Sequence, residues 1–164
     1  MESKLAQQEN GADLHIKVVW KSWALCVFQS DLFLLSAQFN QAKRDVALSW
    51  DTRTVPSLSG DYFGQLQFHP VSKLQDFPIF EVRFRNGGER ILSASGHHVK
   101  IKNILHKHRI PPWMRDRVPL LYSDDELMAV GNLMYHPKLS ELQGEHQLEL
   151  KWLPPLTVKN SVDK

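Results

Sequence analysis

The sequence predicts an α+β domain: a mainly antiparallel β-sheet with one principal helix and one short, proline-initiated helix. Three observations carry that reading. Short runs rich in β-branched and aromatic residues recur along the chain, separated by polar or glycine- and proline-bearing turns. Within "HHVKIKNILHKHR", Ile101, Ile104 and Leu105 follow the i, i+3, i+4 spacing of a buried helical stripe. "PPWMRDRV" then opens with Pro111 and Pro112, at a helix start where a missing N–H costs nothing.

The elements follow in order. Residues 1–13 are polar, with Gly11 near their end, and are expected to form a mobile lead-in. Residues 14–75 read as a β-rich segment, 76–153 as the main domain and 154–164 as a frayed tail. "HIKVVW", "ALCVFQS" and "DLFLLSAQF" are strands, with "QSD" turning the last two into a hairpin. "DVALSW" is a further strand, and "DTRTVPSLSGDYFG", with Pro56, Gly60 and Gly64, has the chemistry of a loop. "QLQFHP" and "FPIFEVRFRN" return to strand. In the second, Phe80, Val82 and Phe84 alternate with Glu81, Arg83 and Arg85, so both arginines lie on one face. "NGGER" supplies a turn whose glycines accept positive φ and whose amides are placed to meet an anion.

For the principal helix, Ser95 is the expected N-cap, and Pro111 forces an end near Arg109. Lys100, Asn103 and Lys107 then share one exposed flank, and Lys102, His106 and Arg109 another. "PPWMRDRV" is one or two helical turns stopped before Pro119. "LLYSDDELMAV" reads as a hairpin with an acidic, solvated tip, and "HQLELKWL" as a last strand with Leu148, Leu150 and Trp152 on one side.

Charge is distributed unevenly. Residues 1–75 balance, with seven Lys or Arg against seven Asp or Glu. Residues 81–120 hold nine basic residues against three acids, a balance of +6, and four of the eight histidines. A field so concentrated points to a polyanionic partner, of which nucleic acid is the commonest. Cys26 is the single cysteine, which rules out an intrachain disulfide and suits a reducing cytoplasm. The polar opening lacks the apolar core of a signal peptide. Apolar runs such as "ALCVF" fall far short of the roughly 20 residues that span a bilayer, so the expectation is a cytoplasmic domain with no membrane partner.

Several chemistries are missing. There is no GxxxxGK[ST], no GxGxxG and no GxSxG. His97, His98, His106 and His108 are wrongly spaced to converge on one ion, and no ordered carboxylate set joins them. No catalytic residue, metal ligand or cofactor is assigned to the chain.

One constellation is distinctive: Arg83 and Arg85 before Gly87-Gly88-Glu89-Arg90, a helix bearing Lys100 and Lys102, then Ile110-Pro111-Pro112-Trp113, Arg115 and Pro119-Leu120-Leu121, then a hairpin ending near a glycine. In order and spacing this resembles the C-terminal domain of bacterial tRNA(Ile)-lysidine synthetase. That family's helix usually carries a Gly-Arg lead-in and a Leu-Lys-Lys centre, where this chain has Gly96-His97 and Ile101-Lys102-Asn103. The resemblance implies recognition of the tRNA(Ile) acceptor stem. The family's ATP-dependent transfer of lysine to the wobble cytidine of a CAU anticodon resides in a catalytic domain with an SGGxDS signature, absent from this sequence. The chain is therefore expected to bind and not to catalyse, with tRNA(Ile) and that catalytic domain as partners and ATP the cofactor of the latter. The expected RNA-contacting set is Arg83, Arg85, Arg90, Lys100, Lys102, Lys107, Arg109, Trp113, Arg115 and Arg117. Double-stranded RNA is read through phosphates, 2′-hydroxyls and shape, so guanidinium and ammonium groups held by a rigid corner suit it. Trp113 admits two roles, packing beneath the corner or stacking on a terminal base. A protein-interaction module that docks an acidic surface through the same basic face is the rival reading.

Overall fold

The alternating patterns become short strands in a computed structural model, which describes residues 5–6, 17–20, 23–29, 31–36, 47–69, 77–155 and 158–160. In chain order the first strands are β1 (Leu5–Ala6), β2 (Lys17–Trp20), β3 (Trp23–Phe28), β4 (Asp31–Ser36) and β5 (Leu48–Asp51). There follow β6 (Ser57–Gly60), β7 (Gly64–His69), β8 (Ile79–Arg83), β9 (Arg90–Leu92) and β10 (His98–Lys100). Helices α1 (Ile101–Lys107) and α2 (Pro112–Arg115) come next, then β11 (Leu120–Ser123), β12 (Glu126–Val130) and β13 (Met134–Tyr135). Helix α3 (Pro137–His146), β14 (Glu149–Leu153) and β15 (Val158–Asn160) complete the described chain. No helix among the described residues is long and apolar enough to cross a membrane.

The chain separates into two compact units, Met1–Ala42 with Leu156–Lys164, and Lys43–Pro155. The expected boundary near residue 75 thus moves to residues 42–43, because β5, β6 and β7 pair with later strands. The first unit holds one antiparallel sheet, β1-β2-β3-β4-β15. Its central strand alternates as the sequence does, burying Ala24, Cys26 and Phe28 and exposing Trp23 and Leu25. Both ends of the chain contribute strands. Leu5 pairs with Val18, and Val158 with Leu34, where a lead-in and a frayed tail were expected. The remaining residues of 1–13 lie outside those described, as do 156–157 and 161–164.

The second unit contains a five-stranded sheet, β13-β12-β11-β8-β5, a three-stranded sheet, β14-β7-β6, and the ribbon β9–β10. Aromatic side chains join the first two. Trp50 of β5 stacks on Phe68 of β7 at 5.6 Å, and Phe68 meets Phe80 of β8 at 5.9 Å and Phe77 at 5.1 Å. All four are essentially fully buried, as the alternation at Phe80, Val82 and Phe84 predicts for one face of β8. The "PSLSG" stretch, read as loop, is a strand instead: Ser57, Leu58 and Ser59 pair with Gln67, Leu66 and Gln65.

The helices are redistributed relative to expectation. His98–Lys100 pair with Arg90–Leu92 as strand, so α1 has seven residues, with Lys100 at its N-cap position in place of Ser95. The longest helix is α3, which the hydrophobic pattern left unmarked, since Leu139 is its one apolar residue that is fully buried. Its start is fixed by polar contacts instead. His136 Nδ1 accepts from the Lys138 backbone N–H at 3.2 Å, and His136 Nε2 lies 3.2 Å from Glu126 Oε1 on β12. Lys138 Nζ reaches Glu126 Oε2 at 2.6 Å.

The β6–β7 turn tests this architecture. Gly64 has φ +85°, and a Cβ there would lie 2.1 Å from the Leu153 carbonyl oxygen. Gly64→Ala should therefore destabilise the unit by at least about 2 kcal/mol, through backbone strain and a clash with the β14 end. Urea denaturation followed by tryptophan fluorescence measures it, and an unchanged midpoint would contradict the register of β7 and β14.

Candidate nucleic-acid interface

The basic segment 81–120 begins on β8, whose outward face carries the exposed Ile79 and the part-buried Glu81 and Arg83. Arg83 Nη2 donates to Glu81 at 2.5 Å and to Asp125 at 2.6 Å, and its guanidinium covers the Tyr122 ring at 4.4 Å. These bonds, first that to Glu81 and then that to Asp125, push the Arg83 pKa above its ordinary value. Arg85 lies 4.0 Å from Asp116 and is three-quarters buried.

The "NGGER" turn closes on its own acid. Gly87 and Gly88 have φ of +106° and +90°, and the backbone N–H groups of Asn86 and Gly87 donate to Glu89 Oε1. The anion expected at those amides is thus the chain's own carboxylate. Burial acts to raise the Glu89 pKa. Backbone hydrogen bonds from Asn86, Glu89 itself and Gly87, with the charge of Arg85, outweigh it and hold the group below the ordinary glutamate value.

Beyond this turn, β9 and β10 form a ribbon closed by Ser93–His97. The Ser93 N–H and Oγ both bond the His97 carbonyl oxygen, and Ser95 Oγ lies 2.8 Å from Ser93 Oγ. In this ribbon Lys100 stands directly opposite Arg90, and both are exposed. Strand β10 passes without a loop into α1, which buries Ile101, Ile104 and Leu105 and exposes Lys102, Asn103 and Lys107. The stripe is the one its spacing predicts.

The end of α1 is a Schellman motif: Ile110 N–H bonds Leu105 O at 2.9 Å and Arg109 N–H bonds His106 O at 3.0 Å. The residue in the left-handed conformation there, normally glycine, is Arg109, with φ +53°. The corner that follows is knitted to the fold. Arg115 Nε donates to Ile110 O at 2.9 Å, Met114 is buried, and Trp113 is half-buried. Arg117 is 4% exposed, donates to Tyr62 O at 3.0 Å and lies over the Tyr62 ring. Desolvation lowers its pKa, partly offset by Tyr62 and Asp116.

The ten expected contact residues thus separate. Arg90, Lys100, Lys102, Lys107 and Arg109 are exposed, and no ion pair engages them among the described residues. Arg83 and Arg85 face acids. Arg115 and Arg117 hold the corner, and Arg117 is withdrawn from the surface because its donors are directed inward at Tyr62. Trp113 is half-buried. Glu81, two residues before Arg83 on one strand face, signalled that pairing in the sequence. Asp125, 42 residues away, did not.

Residues 80–152 match the TilS substrate C-terminal domain, spanning β8 to β14 and so the whole basic segment. The TilS match excludes the first unit, but pairwise similarity reaches further along the chain. The chain is 29% identical over 140 residues to the tRNA(Ile)-lysidine synthase of Xanthomonas campestris pv. campestris, covering 81% of this chain and 30% of that protein. It is 35% identical over 117 residues to the Legionella pneumophila (strain Paris) enzyme of the same name, covering 69% and 26%. Against the Xylella fastidiosa enzyme it is 42% identical over 73 residues, covering 43% and 16%. The chain spans under a third of the length of these relatives.

Two measurements check the geometry of the basic segment. Arg109→Gly relieves the left-handed strain and should be neutral to stabilising, by up to about 1 kcal/mol, in urea melts. A clear loss would mean that the arginine side chain supports the fold. Because the Glu89 pKa is lowered on folding, its contribution is full above the ordinary glutamate pKa and is lost as pH falls through the lowered value. Glu89→Gln should therefore flatten the fall in melting temperature on that acid limb. An acid limb identical to that of the unmodified chain would count against the turn cap.

Proposed function

We propose that this chain is the RNA-gripping part of a tRNA(Ile)-lysidine synthetase, holding the acceptor stem while the ATP-dependent lysine transfer is performed by residues other than these. The observation that carries the reading is the pair Arg90 and Lys100. Like charges directly opposite on a two-stranded ribbon destabilise it, and no described acid pairs with either. Such a pair suits a ribbon that meets a polyanion. Lys102, Lys107 and Arg109 extend the same positive surface along α1 and past its end. Arg109 in a strained left-handed position fits this use, since strain of that kind concentrates at functional sites. A surface of separated cations, with its aromatic residue partly packed, matches a duplex stem recognised through phosphates and shape.

One domain-family match and a set of relatives named for the same enzyme support the assignment. The domain match covers the basic segment, and the full-length relatives carry the name tRNA(Ile)-lysidine synthase. Arg83, Arg85, Arg115 and Arg117 take a different part in this proposal: they set the positions of β8, the ribbon and the corner, and leave phosphate contact to the five exposed cations.

The experiment is direct binding of the chain to a tRNA(Ile) acceptor-stem minihelix, beside its anticodon stem-loop and an unrelated minihelix. Preference for the first is expected. If about four phosphates are neutralised, affinity falls roughly 100-fold between 50 and 200 mM salt. Lys100→Ala and Arg90→Ala should each lower the salt slope by about 1, with the melting temperature unchanged or raised because one like-charge contact is gone. Equal binding of all three RNAs would remove the acceptor-stem assignment. A flat salt response, or unaltered affinity in both variants, would remove the basic face.

A further inference from the structure

We infer that the cleft between α1 and the Leu133–Met134 segment binds a single unpaired nucleotide of the RNA held by the neighbouring basic face. The inference rests on the RNA-binding reading above and adds a second, different mode of recognition to it.

The cleft has a volume of about 340 Å³ and is lined by Val99, Asn103, Ile104, Lys107, His108, Leu133 and Met134. That volume is at the lower end of the roughly 300–1,000 Å³ typical of small-molecule sites. The lining divides by chemistry. Val99, Ile104, Leu133 and Met134 form an apolar floor, and the Met134 thioether offers a polarisable surface to an aromatic ring. Asn103, Lys107 and His108, all exposed on or just after α1, supply the rim. An amide both donates and accepts, which suits the edge of a nucleobase. An ammonium suits its phosphate.

Two features select an unpaired nucleotide over other occupants. First, a base inside a duplex hides both faces in the stack and its Watson–Crick edge in the pair, so a floor-and-rim cleft can only take a base that is free of both. Second, the charge of the lining is one-sided: it includes Lys107 and no carboxylate. The contrast lies on the same unit. A cleft of about 300 Å³ beside β5 is lined by Glu81, Asp124 and Asp125 with Tyr122, and that lining would repel a phosphate. Of the two clefts, the one that adjoins the exposed cations is the one whose charge favours nucleic acid. Position agrees with charge, for Val99 precedes Lys100 in β10, and Lys107 belongs to both cleft and basic face.

The test compares two RNAs with the full chain: a blunt-ended acceptor-stem hairpin, and the same hairpin with a single-stranded 3′ extension. The extension should raise affinity about fivefold or more, the lower end of what one stacked base contributes. Asn103→Ala and Met134→Ala should abolish that gain and leave blunt-hairpin affinity unchanged. Methyl signals of Val99, Ile104, Leu133 and Met134 should shift with the extended RNA alone. Equal affinity for the two hairpins, or variants that weaken both alike, would overturn the cleft assignment and leave the basic face standing. Failure of the blunt hairpin itself to bind would overturn the RNA reading and the cleft with it. An acidic, leucine-containing peptide that moves the same methyl signals when the extended RNA does not would assign the cleft to protein and overturn the inference.

Discussion

The turn Asp61–Phe63 is the point on which the second unit depends. Its backbone carbonyls receive two side-chain donors from far along the chain: Arg117 at Tyr62 O, 3.0 Å, and Trp152 at Phe63 O, 2.7 Å. The Tyr62 hydroxyl returns a bond to Asp116 O at 3.2 Å, and its ring lies under the Arg117 guanidinium and edge-on to Phe84. A turn would ordinarily give these carbonyls to water. Here burial makes the bonds obligatory, because an unmet polar group or an isolated guanidinium in this position costs several kcal/mol. The β6–β7 hairpin, the proline corner and β14 must therefore assemble together or not at all.

That constraint explains why a small domain carries the rigid segment "RIPPWMRDRVPLL". Its outer end presents Arg109 and its inner end inserts Arg117, with two prolines, a four-residue helix and the Arg115–Ile110 bond between them. Anchoring Arg117 sets the position of the corner, and the corner sets where α1 stops. A cation at the left-handed position after α1 is then held without side-chain packing of its own, at the expense of local backbone strain. The three arginines of one motif thus divide: Arg109 faces solvent, while Arg115 and Arg117 hold the corner.

The same logic separates the charges of β8 from those of the ribbon. Arg83 sits between Glu81 and Asp125, so its charge is largely answered within the sheet. Arg90 and Lys100 face each other with no such answer among the described residues. A net balance of +6 over forty residues is therefore not a uniformly positive surface. The unpaired cations are concentrated on the ribbon and α1, and the proposed phosphate contacts lie there. The acidic hairpin tip, which looks like a solvated loop by composition, takes part by neutralising β8.

Local pattern determined much of this protein. The α+β class, the alternation on β3, β8 and β14, the stripe Ile101, Ile104, Leu105, the positive-φ glycines of "NGGER", the proline-initiated α2 and the family resemblance were all readable, since each depends on residues within a few positions of one another. Tertiary structure decided the rest. His98–Lys100 became strand because Arg90–Leu92 lay alongside, overriding a helical continuation, and α3 formed with one fully buried apolar anchor because Glu126 and His136 held its start. Which cations stay free was decided by partners 42 and 55 positions away. A sequence period reports which face a residue is on. It does not report what is brought to meet that face, and the candidate interface of this chain depends on that second fact.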